Sequence, residues 1–181
     1  MATTHTRVMT FAEFSELPDE VCRRHELRHG ELVPVAPPKH KHYRVQRRLR
    51  QLLEKALGSQ GVVEMEMAFR ALPEFEYRVA DIAFISQARW DAIPDDGNLA
   101  GSPELVVDVL SPSNTTAPIH DKRALCLKTG CIEFWIVDIE KCEIEVSTAD
   151  GRSGVYRSGQ HVRLLSGAGQ SVMADAIFSQ L

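Results

Sequence analysis

The sequence predicts an α/β domain with a mixed β-sheet flanked by helices and an antiparallel extension at its C-terminal end. Three observations carry this expectation. Residues 42–57 place Val45, Leu49, Leu52, Leu53, Ala56 and Leu57 at three- and four-residue steps, the period of an amphipathic helix. Three apolar runs, VADIAFI, ELVVDVL and IEFWIVD, have the length and β-branched content of buried strands. Between the second and third lies a helical stretch closed by Gly130, and a strand, helix, strand unit implies a crossover with partly parallel pairing.

The remaining elements follow in order. Thr10 and Glu13 have capping-box spacing, with Phe11, Phe14 and Leu17 behind them, so a short first helix should reach Leu17 and stop at Pro18. His25–Leu27 and Glu31–Val33 flank Arg28-His29-Gly30, a hairpin in which glycine supplies the positive φ. VPVAPPKH continues as extended chain into the amphipathic helix, which Gly58 and Gly61 end. Strands are expected at 62–70, 79–86 and 104–110, with a Gly, Pro, Asn and Asp-rich loop over 91–102. SPSN at 111–114 breaks the third strand, a helix spans 119–129, and 132–138 is the next interior strand. Short apolar runs separated by glycine-rich turns complete the chain as the antiparallel extension.

With 181 residues and 44% hydrophobic content, one domain over residues 1–181 can bury a single core. No signal-like or membrane-length apolar run occurs, so a soluble cytoplasmic protein without a membrane partner is expected. Cys22, Cys126, Cys131 and Cys142 lack metal-knuckle spacing and read as reduced thiols. The net charge of −4 excludes a uniformly basic nucleic-acid coat, yet KHKHYRVQRRLR, residues 39–50, holds six cations and no acid. Lys39, Lys41, His42, Arg44, Arg47 and Arg48 are the candidate phosphate contacts. A solvated basic helix face is the competing reading.

Asp81 and Asp108 stand out because each interrupts an apolar strand, where a lone carboxylate costs several kcal/mol unless a cation or hydrogen-bond donors offset it. Two independent structural acids would satisfy the pattern. So would a shared magnesium ion, which takes one or two carboxylates with waters and phosphate oxygens. Strand alternation turns Glu104, Val106, Asp108 and Leu110 to one face and Leu105, Val107 and Val109 to the other.

Val79-Ala80-Asp81 followed by Asp108-Val109-Leu110 resembles the PD-(D/E)XK nuclease motif, with alanine in place of proline and leucine in place of lysine. On HELRHGELVPVAPPKHKH, RVADIAFI, PELVVDVLSPSN and DKRALCLKTGCIEFWIVD, in that order and spacing, the chain is similar to the Uma-two (Uma2) family of putative restriction endonucleases. The resemblance implies a restriction-endonuclease-like fold and a metal-dependent endonuclease using Mg2+ or Mn2+, with DNA the expected nucleic acid. It transfers the motif lysine to Lys122, whose helical face also carries Ile119 and Cys126. It further makes Glu26 a third acid of the site, with Glu31 the runner-up, and matches His42 at the helix start. Asp81, Asp108 and the carbonyl of Val109 would hold the ion. Enzymes of this fold that cut two strands suggest, by analogy, a homodimer. The rival readings are a catalytically inactive nuclease-fold binding module and a hydrolase of another phosphoester, which an enclosed pocket would favour over a groove lined by Arg44, Arg47 and Arg48.

Overall fold

A computed structural model describes residues 8–110, 116–167 and 169–179, the side chain of Thr116 excepted. The elements in chain order are α1 (Phe11–Ser15), α2 (Asp19–Cys22), β1 (His25–Arg28), β2 (Glu31–Pro34), α3 (His40–Leu57), β3 (Gly61–Arg70), β4 (Arg78–Ser86) and α4 (Gln87–Trp90). There follow β5 (Leu99–Ala100), β6 (Leu105–Leu110), α5 (Thr116–Lys128), β7 (Glu133–Asp138), β8 (Glu143–Thr148), β9 (Ser153–Tyr156), β10 (His161–Arg163), β11 (Ser171–Met173) and α6 (Ala174–Phe178).

Seven strands form the main sheet in the order β5-β3-β4-β6-β7-β8-β9. β6 and β7 pair in parallel with α5 between them in sequence, whereas β3/β4, β4/β6, β7/β8 and β8/β9 are antiparallel. The sheet is therefore mixed, and β8 and β9 supply the antiparallel extension. β10 and β11 depart from the simplest expectation by pairing with each other in a separate two-stranded sheet. The 91–102 loop also contains the two-residue β5, which pairs in parallel with β3. SPSN lies outside the described residues.

The sheet buries both faces, which is why its central strands read as continuous apolar runs. On one side Val45, Leu49, Leu53 and Leu57 of α3 pack with Ile82, Phe84, Leu105, Val107, Val109, Trp135 and Val137. On the other, Ile119, Leu125 and Cys126 of α5 pack with Ala83, Ile85, Val106, Phe134 and Ile136. The Trp135 indole N–H donates to Glu133 within this interior. No helix among the described residues is long and apolar enough to cross a membrane.

The capping box forms as the spacing predicts, with Thr10 N–H donating to Glu13 and Glu13 N–H to the Thr10 hydroxyl. The β1/β2 hairpin turns through His29 and Gly30, with φ of 51° and 78°. Gly30 is required twice over, since its φ suits glycine and a Cβ there would lie 2.6 Å from that of Val8.

Candidate active site

The site occupies a fork in the sheet. β4 and β6 are paired only through Ile82↔Val107, Ala83↔Val106 and Phe84↔Leu105, and beyond that register the two strands separate. Asp81 and Asp108 are the next facing positions, and their carboxylates take over the backbone donors that the ladder no longer uses. Val109 N–H donates to Asp81 Oδ2 at 2.6 Å, and Asp81 N–H reaches Asp108 Oδ1 at 3.4 Å. This accounts for two acids in apolar strands: each meets main-chain donors that would otherwise be buried without partners.

The β1/β2 hairpin enters the open side of the fork. Leu27 exchanges both backbone hydrogen bonds with Tyr77, at 3.0 and 2.9 Å, just ahead of β4. That contact delivers Glu26 to Val79, whose N–H donates to Glu26 Oε1 at 2.8 Å. Arg28 Nε donates to the other oxygen, also at 2.8 Å. Burial opposes the ionised form of Glu26, but Lys122, Arg28, the Val79 amide and Arg78 together hold its pKa below the usual glutamate value.

From the opposite side α5 brings Lys122. Its Nζ donates to both oxygens of Asp108, at 2.8 and 2.7 Å, and to the Val79 carbonyl at 2.6 Å. Lys122 is 7% exposed and Asp108 8%. Burial works against the ammonium, yet the Asp108 and Glu26 carboxylates outweigh it and raise the lysine pKa. For Asp108, burial and the nearby Asp81 charge overcome the pull of Lys122, and the carboxyl is pushed up to about 6. Leu110, in the place of the motif lysine, packs partly buried against the α5-side core.

α3 closes the third side. His42 Nε2 stands 3.2 Å from Asp81 Oδ1, although neither ring nitrogen has a hydrogen-bond partner of good geometry. Burial disfavours its imidazolium, but Asp81, Glu66 and Asp108 outweigh that cost and raise the histidine pKa. Gln46, fully buried, donates to Glu66 and, at 3.1 Å, to Asp81. Its own Oε1 is left without a partner.

Glu66 and Gln46 are site residues that sequence reasoning missed. Glu66 has a φ of 52° inside β3, a left-handed conformation that is costly for a non-glycine residue. The ladder skips the Glu66/Asp81 position between Met65↔Ile82 and Met67↔Ala80. Across this flip Met65 packs with the α3-side core and Met67 with the α5-side core, although strand alternation would put both on one face. The flip sets Glu66 across from Asp81 at the mouth of the fork.

An ion network around buried Arg78 and Glu76 fixes the surroundings. Arg78 donates to Glu76 at 2.7 Å and to Asp121 at 3.0 Å, and the His29 ring lies between the same two carboxylates, at 2.7 and 3.0 Å. Hairpin, β4 and α5 are thereby joined one residue from Lys122.

Glu26, His42, Glu66, Asp81, Asp108 and Lys122 line one cleft of about 400 Å³, whose lining also includes Pro34–Lys39, Pro118 and Ile119. The predicted basic face divides. Lys39 and His42 line the cleft, Arg44 and Arg47 are exposed outside it, Lys41 pairs with Glu140 at 2.8 Å, and Arg48 donates to the Ala176 carbonyl at 2.7 Å. Glu31 is exposed on β2 and does not line the cleft.

The donor chemistry suits a hard divalent cation. Asp81 and Asp108 occupy facing positions at the fork, the Asp81 N–H reaching an Asp108 oxygen, and among the described residues no group of three or more His, Cys, Asp or Glu side chains has metal-binding spacing. Two carboxylates with a carbonyl and waters are donors that a hard divalent cation takes. Unpartnered Gln46 Oε1 and His42 beside Asp81 add polar groups of the kind that meet a ligand or its waters.

A family model described as Uma2, putative restriction endonuclease, matches residues 11–176. The chain belongs to the Uma2 family. Its fold is similar to the crystal structure of a putative nuclease belonging to DUF820 from Anabaena variabilis, with a TM-score of 0.80. The two are 19% identical, and the match covers 94% of this chain and 98% of the other. A comparison with curated proteins gives no match. In this Uma2 chain Lys122 of α5 is directed at Asp108, and Leu110 ends β6.

Proposed function

We propose that this Uma2 protein is a divalent-metal-dependent endonuclease that hydrolyses nucleic-acid phosphodiesters, with DNA the favoured substrate and magnesium or manganese the ion. The observation that carries the reading is the convergence of Asp81, Asp108 and Lys122 at the fork, with the ammonium 2.7 Å from the Asp108 carboxylate. Asp81, Asp108 and the Val109 carbonyl would hold the ion, and Glu26 would support it directly or through water. When bound, such an ion polarises a non-bridging phosphate oxygen and offsets charge on the leaving oxygen.

The chain's own residues supply the rest. Lys122, anchored on the Val79 carbonyl, orients the attacking water and offsets charge developing at phosphorus. Glu26, held ionised by Arg28 and the Val79 amide, keeps a negative charge beside Lys122 and favours its protonated form. Lys39, Arg44 and Arg47 would meet backbone phosphates, giving salt-sensitive affinity with little sequence information. The inactive-module reading draws on Leu110 and gains from a Lys122 turned away from the carboxylates or from a failure of any cation to bind between them; of these, the first is opposed by the amine's contact with both oxygens of Asp108.

The test is magnesium- or manganese-dependent nicking of plasmid DNA by wild type and Asp108→Ala. Metal-dependent nicking by wild type alone is expected, and equal activity in the two proteins refutes the assignment.

A further inference from the structure

The cleft also speaks to the form of the substrate. Most of its reactive groups are withdrawn from solvent: Glu26, His42, Asp108 and Lys122 are buried and Asp81 is half-buried. Val35, Ala36, Pro37 and Pro38 line the same cleft, as do Pro118 and Ile119 of α5, so part of its lining is apolar. A volume of about 400 Å³ lies at the lower end of the range for small-molecule clefts, which usually run from roughly 300 to 1,000 Å³. Buried groups are reached more readily by a phosphate whose nucleotide has left the stack than by one inside an intact duplex.

The cations point the same way. A protein that grips duplex backbone needs a row of lysine or arginine tracking the phosphates. Here Lys41 and Arg48 are engaged by Glu140 and the Ala176 carbonyl, and Arg50 lies 3.8 Å from Glu64. Arg28, Arg78 and Lys122, which line the cleft, are held by Glu26, by Glu76 with Asp121, and by Asp108. Of the lysines and arginines that line the cleft, Lys39 is the one without a carboxylate partner among the described residues, while Arg44 and Arg47 are exposed outside it. One turn along α3 from Lys39 stands Tyr43, 44% exposed, its N–H bonded to the Lys39 carbonyl. A cation that lines the cleft beside an exposed aromatic, next to a cleft with apolar as well as charged lining, is a combination that binds unpaired strands by stacking and a phosphate contact.

We propose that the cleft takes an unpaired nucleic-acid strand, threaded between residues 34–39 and the first turns of α5, in preference to an intact duplex. This rests on the nuclease reading above. Lys39 meets a backbone phosphate, Tyr43 stacks on a base at the rim, and the apolar part of the lining holds the nucleotide whose phosphate reaches Asp81 and Asp108.

The experiment measures fluorescence anisotropy of a labelled single-stranded DNA and of its blunt duplex with the full chain in EDTA, then cleavage of both in manganese. The single strand should bind at least roughly tenfold more tightly, and Tyr43→Ala should weaken it by roughly tenfold without changing the melting temperature. Equal or tighter duplex binding, an unaffected Tyr43→Ala, or equally tight competition by thymidine 5′-monophosphate overturns the proposal, the last in favour of a small phosphoester. Metal-dependent cleavage of duplex at the single-strand rate also overturns it while leaving the nuclease reading standing. A single-strand preference with no cleavage of either DNA supports the binding inference and contradicts the nuclease reading.

Discussion

Lys122 Nζ spans both carboxylate oxygens of Asp108, at 2.8 and 2.7 Å, and holds the Val79 carbonyl as a third acceptor. One ammonium thereby ties α5 to the two strands of the fork and neutralises a buried acid. The position beside Asp108 is a place for positive charge, and lysine and a metal ion can share it.

Replacing Lys122 with methionine leaves Asp108 buried without its cation. Breaking a buried pair by removing one partner costs about 3–5 kcal/mol. Lys122→Met should therefore melt well below wild type in EDTA, and magnesium should recover part of the loss because an ion replaces the ammonium. Melting curves with and without magnesium check this, and a variant that magnesium fails to stabilise more than wild type contradicts it.

Glu66 holds its place by a backbone conformation that glycine adopts without strain. In Glu66→Gly the relieved φ and the lost Gln46 contact should nearly offset, leaving stability within about 1 kcal/mol of wild type. Nicking activity should fall by roughly tenfold, the loss expected when a group at the reaction centre is removed while the fold stays intact. Chemical denaturation and initial rates on the same preparation separate the two effects.

The pH dependence of the metal-free protein follows from Asp108. Its folded pKa of about 6 lies above the ordinary aspartate value of 3.8, so the folded state binds its proton more tightly than the unfolded state. The resulting stability is fully present below about pH 3.8 and is lost as the pH rises through about 6. Denaturant titrations across that window should show the Asp108 contribution declining upward in wild type, with a flatter profile in Asp108→Asn. Glu26 acts oppositely: its lowered pKa contributes stability above the ordinary glutamate value, lost as the pH falls. The difference between wild type and Asp108→Asn isolates the aspartate.

The arginines of α3 divide by role. Arg48 donates to the Ala176 carbonyl and secures α6, so Arg48→Ala should cost about 1–3 kcal/mol of stability. Arg44 and Arg47 are exposed, and Arg44→Ala with Arg47→Ala should leave the melting temperature unchanged. If they meet phosphates, each loss should lower the salt slope of DNA binding by roughly 0.7–0.9. Anisotropy at several salt concentrations measures it.

How much of this was legible depended on whether a residue's signal was local. Asp81 and Asp108 are conspicuous because charge inside an apolar strand contradicts its surroundings, and the α3 stripe of Val45, Leu49 and Leu53 is a plain periodicity. Lys122 carries no such mark, since a helix lysine between Asp121 and Arg123 has the look of surface, and only the family resemblance singled it out. Glu66 was hidden by the regular alternation of GVVEMEMAF, in which Glu64 and Glu66 read as one solvent face; the flip at Glu66 belongs to the diverging strands. Gln46 was hidden for the complementary reason, as a polar residue on an otherwise apolar helix face. The pairing of β10 with β11 turned on a competition between sheet edges that short apolar runs do not encode.

The central claim is that Asp81 and Asp108 together hold a divalent cation at the fork. A crystal of the protein soaked in manganese, measured at the manganese absorption edge, tests it most directly. The account predicts an anomalous peak at metal–oxygen bonding distance from both carboxylates, with Lys122 displaced from at least one Asp108 oxygen. An absence of any peak there, with Lys122 still on both oxygens, would contradict it.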